Sequence, residues 1–202
     1  MPPTFRDRVA EHEVEPQFVN RWSPRAFTSE PIPDDVLFSM FEAARWAPSA
    51  FNGQPWVFVY AKRDTPAWGP LFDALIPYNQ DWVKLASAMM FLASDKFRRA
   101  EGREPSPHPT HSFDAGAAWG YLALQAQALG WAAHGMAGFE REKAHAATGL
   151  PETDYRIEAA IAVGRPTDPS VLPESFRARE VPSPRKPVAA FAFEGRFDGL
   201  LR

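Results

Sequence analysis

From Ala115 to Phe139 the chain runs without a single Asp, Glu, Lys or Arg. A stretch of that length has few homes: a membrane, a protein core, or the face of another subunit. Gln125, Gln127, Gly130 and His134 interrupt it, and the apolar runs between them are too short to span a bilayer. The better reading is a helix from about Asp114 to Leu129, closed by Gly130, because a glycine there takes the left-handed backbone without a Cβ penalty. This helix is apolar nearly all round and has to be covered, in a core or against another subunit. Its small residues, Ala115 to Ala118 and Gly120, let a second helix approach closely. A homodimer is therefore expected.

Composition removes several classes of function. The net charge of −3 gives no reason to expect nucleic acid or an anionic membrane as partner. The chain has no cysteine, so disulfides, thiol catalysis and thiolate metal sites are excluded. Asn20, Asn52 and Asn79 all lack the Ser or Thr of a glycosylation sequon, and the first 16 residues contain no apolar run of the secretory kind. A cytoplasmic protein is the expectation. At 202 residues one domain with a sizeable core is expected. The 21 prolines are interleaved with aliphatics and aromatics, which implies fixed turns rather than disorder.

The spacing predicts a helix over 33–47, where Leu37, Met40, Phe41 and Ala44 share one face, Asp34 and Asp35 occupy the first turn and Pro48 stops it. Strands are predicted at 56–61, 88–93, 157–166 and 188–193, and helices at 66–76, 78–87 and 140–148. Residues 98–111 and 166–187 are Pro-rich excursions, the first a surface loop or lid. Helices and strands mix without regular alternation, so the fold class is α+β rather than a doubly wound sheet.

Phosphate motifs of the glycine-rich kinds are absent, so any bound phosphate must be held by side chains. Arg21, Ser23 and Arg25 offer this. In an extended segment, alternate residues share one face, and three donors would converge on one anion. The competing reading is a solvated basic turn. The segment 48–55 is a stronger signal: Pro48 and Pro55 bracket Ser49, Asn52 and Gln54, and Phe51 is odd for a solvated loop. In HGMAGF at 134–139, two glycines let the backbone approach a ligand closely; the competing reading is a plain turn. Arg185 and Lys186 form a later basic stretch. His108 and His111 lie in a Pro-rich loop with no helix to align them, so no metal site is expected. His134 reads as a core histidine. With no protein nucleophile on offer, the chemistry points to a cofactor.

Taken in this order, RWSPRAF at 21–27, PIPDDVLFSMFEAARWAPSAFNGQPW at 31–56, DAGAAWGYLALQAQALGW at 114–131 and the MAGF turn at 136–139 resemble the FMN-dependent nitroreductase family, from about Phe18 to Phe197. The resemblance implies one nitroreductase-like domain over 1–202. It implies a central, mostly antiparallel sheet surrounded by helices, in an intertwined homodimer whose C-terminal strand crosses to the partner. It implies FMN as cofactor and NADH or NADPH as electron donor, with a nitroaromatic, quinone or similar planar acceptor reduced by a ping-pong mechanism. Arg21, Trp22, Ser23 and Arg25 would hold the phosphate and ribityl end, with Arg185. Pro48, Ser49, Ala50 and Asn52 would come from the other subunit, and Gln54 would be close by. Asn79 would contact the pyrimidine edge. Met136, Ala137 and Gly138 would line the ring, with the Gly138 N–H facing N5 as the catalytic contact.

Three positions depart from the family pattern. Ala137 replaces an acidic residue, Trp82 a basic one near N1 and O2, and Ser183 a lysine near the phosphate. Trp82, Phe113 and the 98–111 loop are candidates to line the pocket. The alternatives are the same fold running reductive dehalogenation or oxygen-dependent flavin chemistry, or a flavin-binding module with little turnover.

Overall fold

Strand β2 (Ala88–Asp95) is buried on both faces along almost its whole length, which makes it the middle of the molecule. Its alternate residues supply two separate cores. Met89, Phe91 and Ala93 point into one, with Leu71, Leu75, Trp82, Ile157 and Phe176. Met90 and Leu92 point into the other, with Leu37, Met40, Leu122, Trp131 and Ile161. A continuous apolar run is what a strand covered on both sides requires. The computed structural model describes residues 8–99 and 101–197.

Around β2 the chain lays down α1 (Pro16–Asn20), α2 (Asp34–Arg45), β1 (Trp56–Lys62), α3 (Trp68–Asp73) and α4 (Pro77–Val83) before it. After it come β3 (Phe97–Arg98), β4 (Ser106–Pro107), α5 (His111–Ala128), β5 (Ala132–Met136), α6 (Arg141–Thr148), β6 (Tyr155–Gly164) and α7 (Glu174–Arg177). The main sheet has the order β1-β2-β6-β5, and each neighbouring pair is antiparallel. Helices α2 and α5 cover one face, and α3, α4, α6 and α7 the other. The α+β architecture with a central antiparallel sheet is as the sequence predicts.

Helix α2 forms where periodicity places it, with Asp34 and Asp35 in the first turn and Leu37, Met40 and Ala44 buried. Helix α5 starts three residues before the predicted Asp114. It ends at Ala128, one residue short of the predicted Leu129, which is its C-cap, and Gly130 follows at φ +74. Helix α4 stops at Val83 rather than 87, because the next residues turn into the sheet: the Ser87 N–H donates to the Val163 carbonyl at 2.8 Å. Strand β5 was not predicted; a histidine and a glycine break its apolar alternation, and it is an edge strand. The 98–111 excursion carries strand β4, paired with β3, and within it His108 is buried.

Within a single chain the predicted strand at 188–193 does not form. Val188–Ala190 is a single 3-10 turn, and among the described residues no sheet pairing follows it. An apolar run becomes a strand only against a partner edge, and this chain supplies none to it. Phe191 and Phe193 are left exposed. Among the described residues, no helix is long and apolar enough to cross a membrane.

Candidate functional site

Arg21 caps the C-terminus of α1 in an extended conformation, and the chain runs on without helix or strand to a bridge between Phe27 and Pro166. Pro24 and Ala26 turn inward and are buried. Arg21, Ser23 and Arg25 therefore share the outward face, and all three line one cleft of about 510 Å³ with Trp22. Arg185, 160 residues further on, lines the same cleft, as do His134, Arg179, Val181 and Ser183. The basic segment thus faces a shared cleft.

One further residue holds this wall in place. Glu180 is buried, and one of its carboxylate oxygens accepts the backbone N–H groups of Arg25 at 2.5 Å and Ala26 at 2.8 Å. Its other oxygen lies 3.5 Å from the Arg25 guanidinium. Arg21 donates to Ser23 Oγ at 3.1 Å, and Arg185 donates to the carbonyls of Ser183 and Pro184. Among the described residues, Arg21, Arg179 and Arg185 have no carboxylate partner. Burial, with Arg185 and Arg8 close by, holds the Arg21 guanidinium below its usual range. Like charges are crowded here, which an anion relieves.

His134 is a correction. It is not a core residue: it lines the cleft, with Nδ1 donating to the Pro24 carbonyl at 2.9 Å and its ring against Trp82 at 4.7 Å. Burial, with Arg25 and Arg21 nearby, pushes it down to about 4, so it is neutral at pH 7. The unfolded chain then binds the extra proton between about pH 6.5 and 4, and stability falls as the pH drops through that window. The span corresponds to on the order of 3 kcal/mol. Thermal unfolding of wild type and His134→Gln between pH 4 and 7 is expected to show the acid loss smaller in the variant.

Trp82 itself is a second correction. It is 1 % exposed, packed between Phe27 and His134, and belongs to the core rather than a pocket wall. Phe113 is 81 % exposed on α5 and does not reach the cleft.

Strand β5 leads from His134 to the turn at 137–140. There Asn79 and Gly138, both predicted site residues, meet. Asn79 Nδ2 donates to the Gly138 carbonyl at 2.9 Å, and the Ile76 N–H donates to the same oxygen. A Cβ on Gly138 would collide with Asn79 Nδ2 and lie 2.8 Å from Ile76 Cδ1, so a larger residue here would have to displace the Asn79 and Ile76 side chains. Among the described residues the Gly138 N–H makes no backbone hydrogen bond. Met136 and Ala137 precede it, half-buried and exposed respectively.

The 48–55 segment is built differently. Phe51, Asn52 and Gln54 all take left-handed backbone, at φ 55, 56 and 45. Such conformations cost about 1–3 kcal/mol each and persist where the surroundings impose them. Here Asp114, 2 % exposed, accepts the Ala50 N–H and the Thr110 hydroxyl, both at 3.1 Å. Ser49 Oγ accepts the Gln54 N–H, and Gln54 donates to the Asn52 carbonyl. The turn projects Phe51, 90 % exposed, with the Arg98 guanidinium 4.7 Å over its ring.

The two segments lie at opposite ends of the sheet. Trp56, directly after the turn, pairs with Ser94. The Arg21–Phe27 segment joins beyond Gly164, near the Ala88–Val163 pair. The length of β2 between them is roughly 23 Å, and α2 carries the chain from one end to the other. Glu180, Arg179, His134 and Asp114 carry no spacing signal that sequence reading could use.

The nitroreductase family model matches residues 19–67 and 71–165. A Rhodopseudomonas palustris protein with the provisional name NADH dehydrogenase/NAD(P)H nitroreductase is 30 % identical over 138 residues, 61 % of this chain and 70 % of that one. An NADH dehydrogenase of Thermus thermophilus is 29 % identical over 178 residues, 74 % of this chain and 85 % of that one. A solved structure described as an oxidoreductase containing FMN is 45 % identical, covers 99 % of this chain and 100 % of its own, and superposes with a TM-score of 0.92.

Proposed function

The chain belongs to the nitroreductase family, and on that premise we propose that it is an NAD(P)H-dependent FMN oxidoreductase with a site shared between two copies. The observation that carries this reading is the cleft. Among the described residues, three of the guanidiniums that line it have no carboxylate partner, and β5 leads from it to a backbone N–H that makes no backbone hydrogen bond. A phosphate monoester bears a charge of about −1.5 to −2 at pH 7, which suits such a set. Arg21, Ser23, Arg25 and Arg185 hold the phosphate, and Trp22 flanks it. Asn79 still has its carbonyl oxygen to offer a ring edge, and the Gly138 N–H is positioned by two bonds to its own carbonyl. Met136 and Ala137 line the same edge.

The chemistry supplied by bound FMN is hydride transfer at N5, from NADH or NADPH to a nitroaromatic, quinone or similar planar acceptor, in a ping-pong cycle. The chain binds, orients and excludes water; no side-chain acid or base is needed. Pro48, Ser49, Ala50, Asn52 and Gln54 serve the partner's site, which their distance from Arg21 within one chain favours. Exposed Phe51, Phe113 and Trp46 are the apolar surface such a dimer would cover, and residues 188–193 would gain a strand partner by crossing to the second copy.

Purified protein is expected to be yellow, or to become so with FMN, and to oxidise NADH or NADPH when menadione or a nitroaromatic is added. Protein that stays colourless with excess FMN would sink the proposal. A flavin-binding module with little turnover is the second reading, favoured by the neutral, exposed Ala137 and the buried Trp82. It would give yellow protein without acceptor-dependent oxidation.

A further inference from the structure

The position two residues before Arg185 is Ser183, so the phosphate end lacks a cation that the family pattern supplies there. The cleft contains a different one. Arg179 lines it beside Arg21 and Arg185, and its placement is built rather than incidental. It sits between two buried anchors. Phe176 is packed on Tyr78 at 4.8 Å and accepts the Arg179 N–H at its carbonyl at 3.0 Å. Glu180 is locked onto the Arg25 and Ala26 N–H groups. With Phe176 and Glu180 buried, the exposed Arg179 between them faces the cleft. Glu180 also sets part of the positive charge of Arg25 against its own. Without Arg179, the cleft would keep only Arg21 and Arg185 as uncompensated cations.

We propose that Arg179 is a ligand of the flavin phosphate, and that Glu180 is the positioning residue that presents both Arg179 and Arg25 to it. This rests on the flavin reading above. A phosphomonoester dianion then meets three unpaired guanidiniums and the Ser23 hydroxyl, and the cation missing at Ser183 is restored from a position four residues earlier.

Riboflavin carries the same ring and ribityl chain without the phosphate, so it separates this role from a structural one. Fluorescence titration of the full chain, stripped of flavin, is done with FMN and riboflavin. Arg179→Gln is expected to weaken FMN roughly ten- to hundredfold, the range of one charge-assisted hydrogen bond, and to leave riboflavin within about twofold. Arg179→Lys should restore most of the FMN affinity, because a point charge still serves a phosphate. Equal weakening of both flavins, or no change in either, would overturn the assignment. So would a rise in the KM for NADPH, but not NADH, with FMN affinity intact, since the arginine would then serve the nicotinamide. Wild-type protein that binds neither flavin removes the parent reading as well, an outcome distinct from the others.

Discussion

Replacing Glu180 with alanine is expected to cost about 3–5 kcal/mol, the range for breaking one side of a buried ion pair. The change orphans the Arg25 and Ala26 N–H groups, both fixed on a single carboxylate oxygen, and leaves the partly buried Arg25 without its counter-ion. A domain of this size has about 5–15 kcal/mol in total, so the loss is a large share of it. Thermal unfolding should shift down by roughly 10 °C or more. Glu180→Gln keeps an acceptor for the two N–H groups and should lose clearly less. Equal losses for the two variants would mean that the backbone contacts are not what Glu180 contributes. The contact ties position 180 to position 25, beside the residues that line the cleft.

The second large effect is expected at Asp114. Alanine there leaves the partly buried Ala50 N–H and Thr110 hydroxyl without their acceptor, worth up to about 1–3 kcal/mol for each unsatisfied group. The functional loss should exceed the loss of stability. The left-handed backbone of Phe51, Asn52 and Gln54 is held by this anchor and by the bond from Gln54 to Ser49. Once released, the turn relaxes toward ordinary dihedrals and no longer presents Asn52 and Gln54 as it does. Flavin retention on a desalting column, measured at a temperature where the variant is folded, should drop well below wild type. A folded Asp114→Ala protein that retains flavin normally would show that the strained turn takes no part in the site.

What could be read without coordinates was local. Helix α2 follows from apolar spacing and an acidic first turn, and β1 and β2 from unbroken apolar runs. The alternation of Arg21, Ser23 and Arg25 needed only an extended backbone to become a face, and the bridge at Phe27 provides it. What could not be read depends on residues far apart in the chain. Glu180 has meaning only against Arg25, Arg179 only against Arg185, and Asp114 only against Ala50. His134 looked like a core residue because its neighbours in sequence are apolar, yet its ring lies against Trp82 and the Pro24 carbonyl. Trp82 was a candidate pocket wall because position alone does not tell which way a helix turns. The segment 188–193 shows the limit most plainly, since an apolar run carries no information on whether a sheet edge waits for it.

The central claim is that the Arg21 cleft of one copy and the Asn52 turn of another make one site. Mixed dimers test it directly. Arg21→Ala and Asn52→Ala chains with different affinity tags are co-expressed, and the doubly tagged dimer is isolated beside the two parent proteins. Each parent is expected to be flavin-poor. The mixed dimer has one site with both segments intact and one with both altered, so it should bind one flavin per dimer. A mixed dimer as flavin-poor as its parents would mean that both segments serve their own chain's site, and would contradict the account.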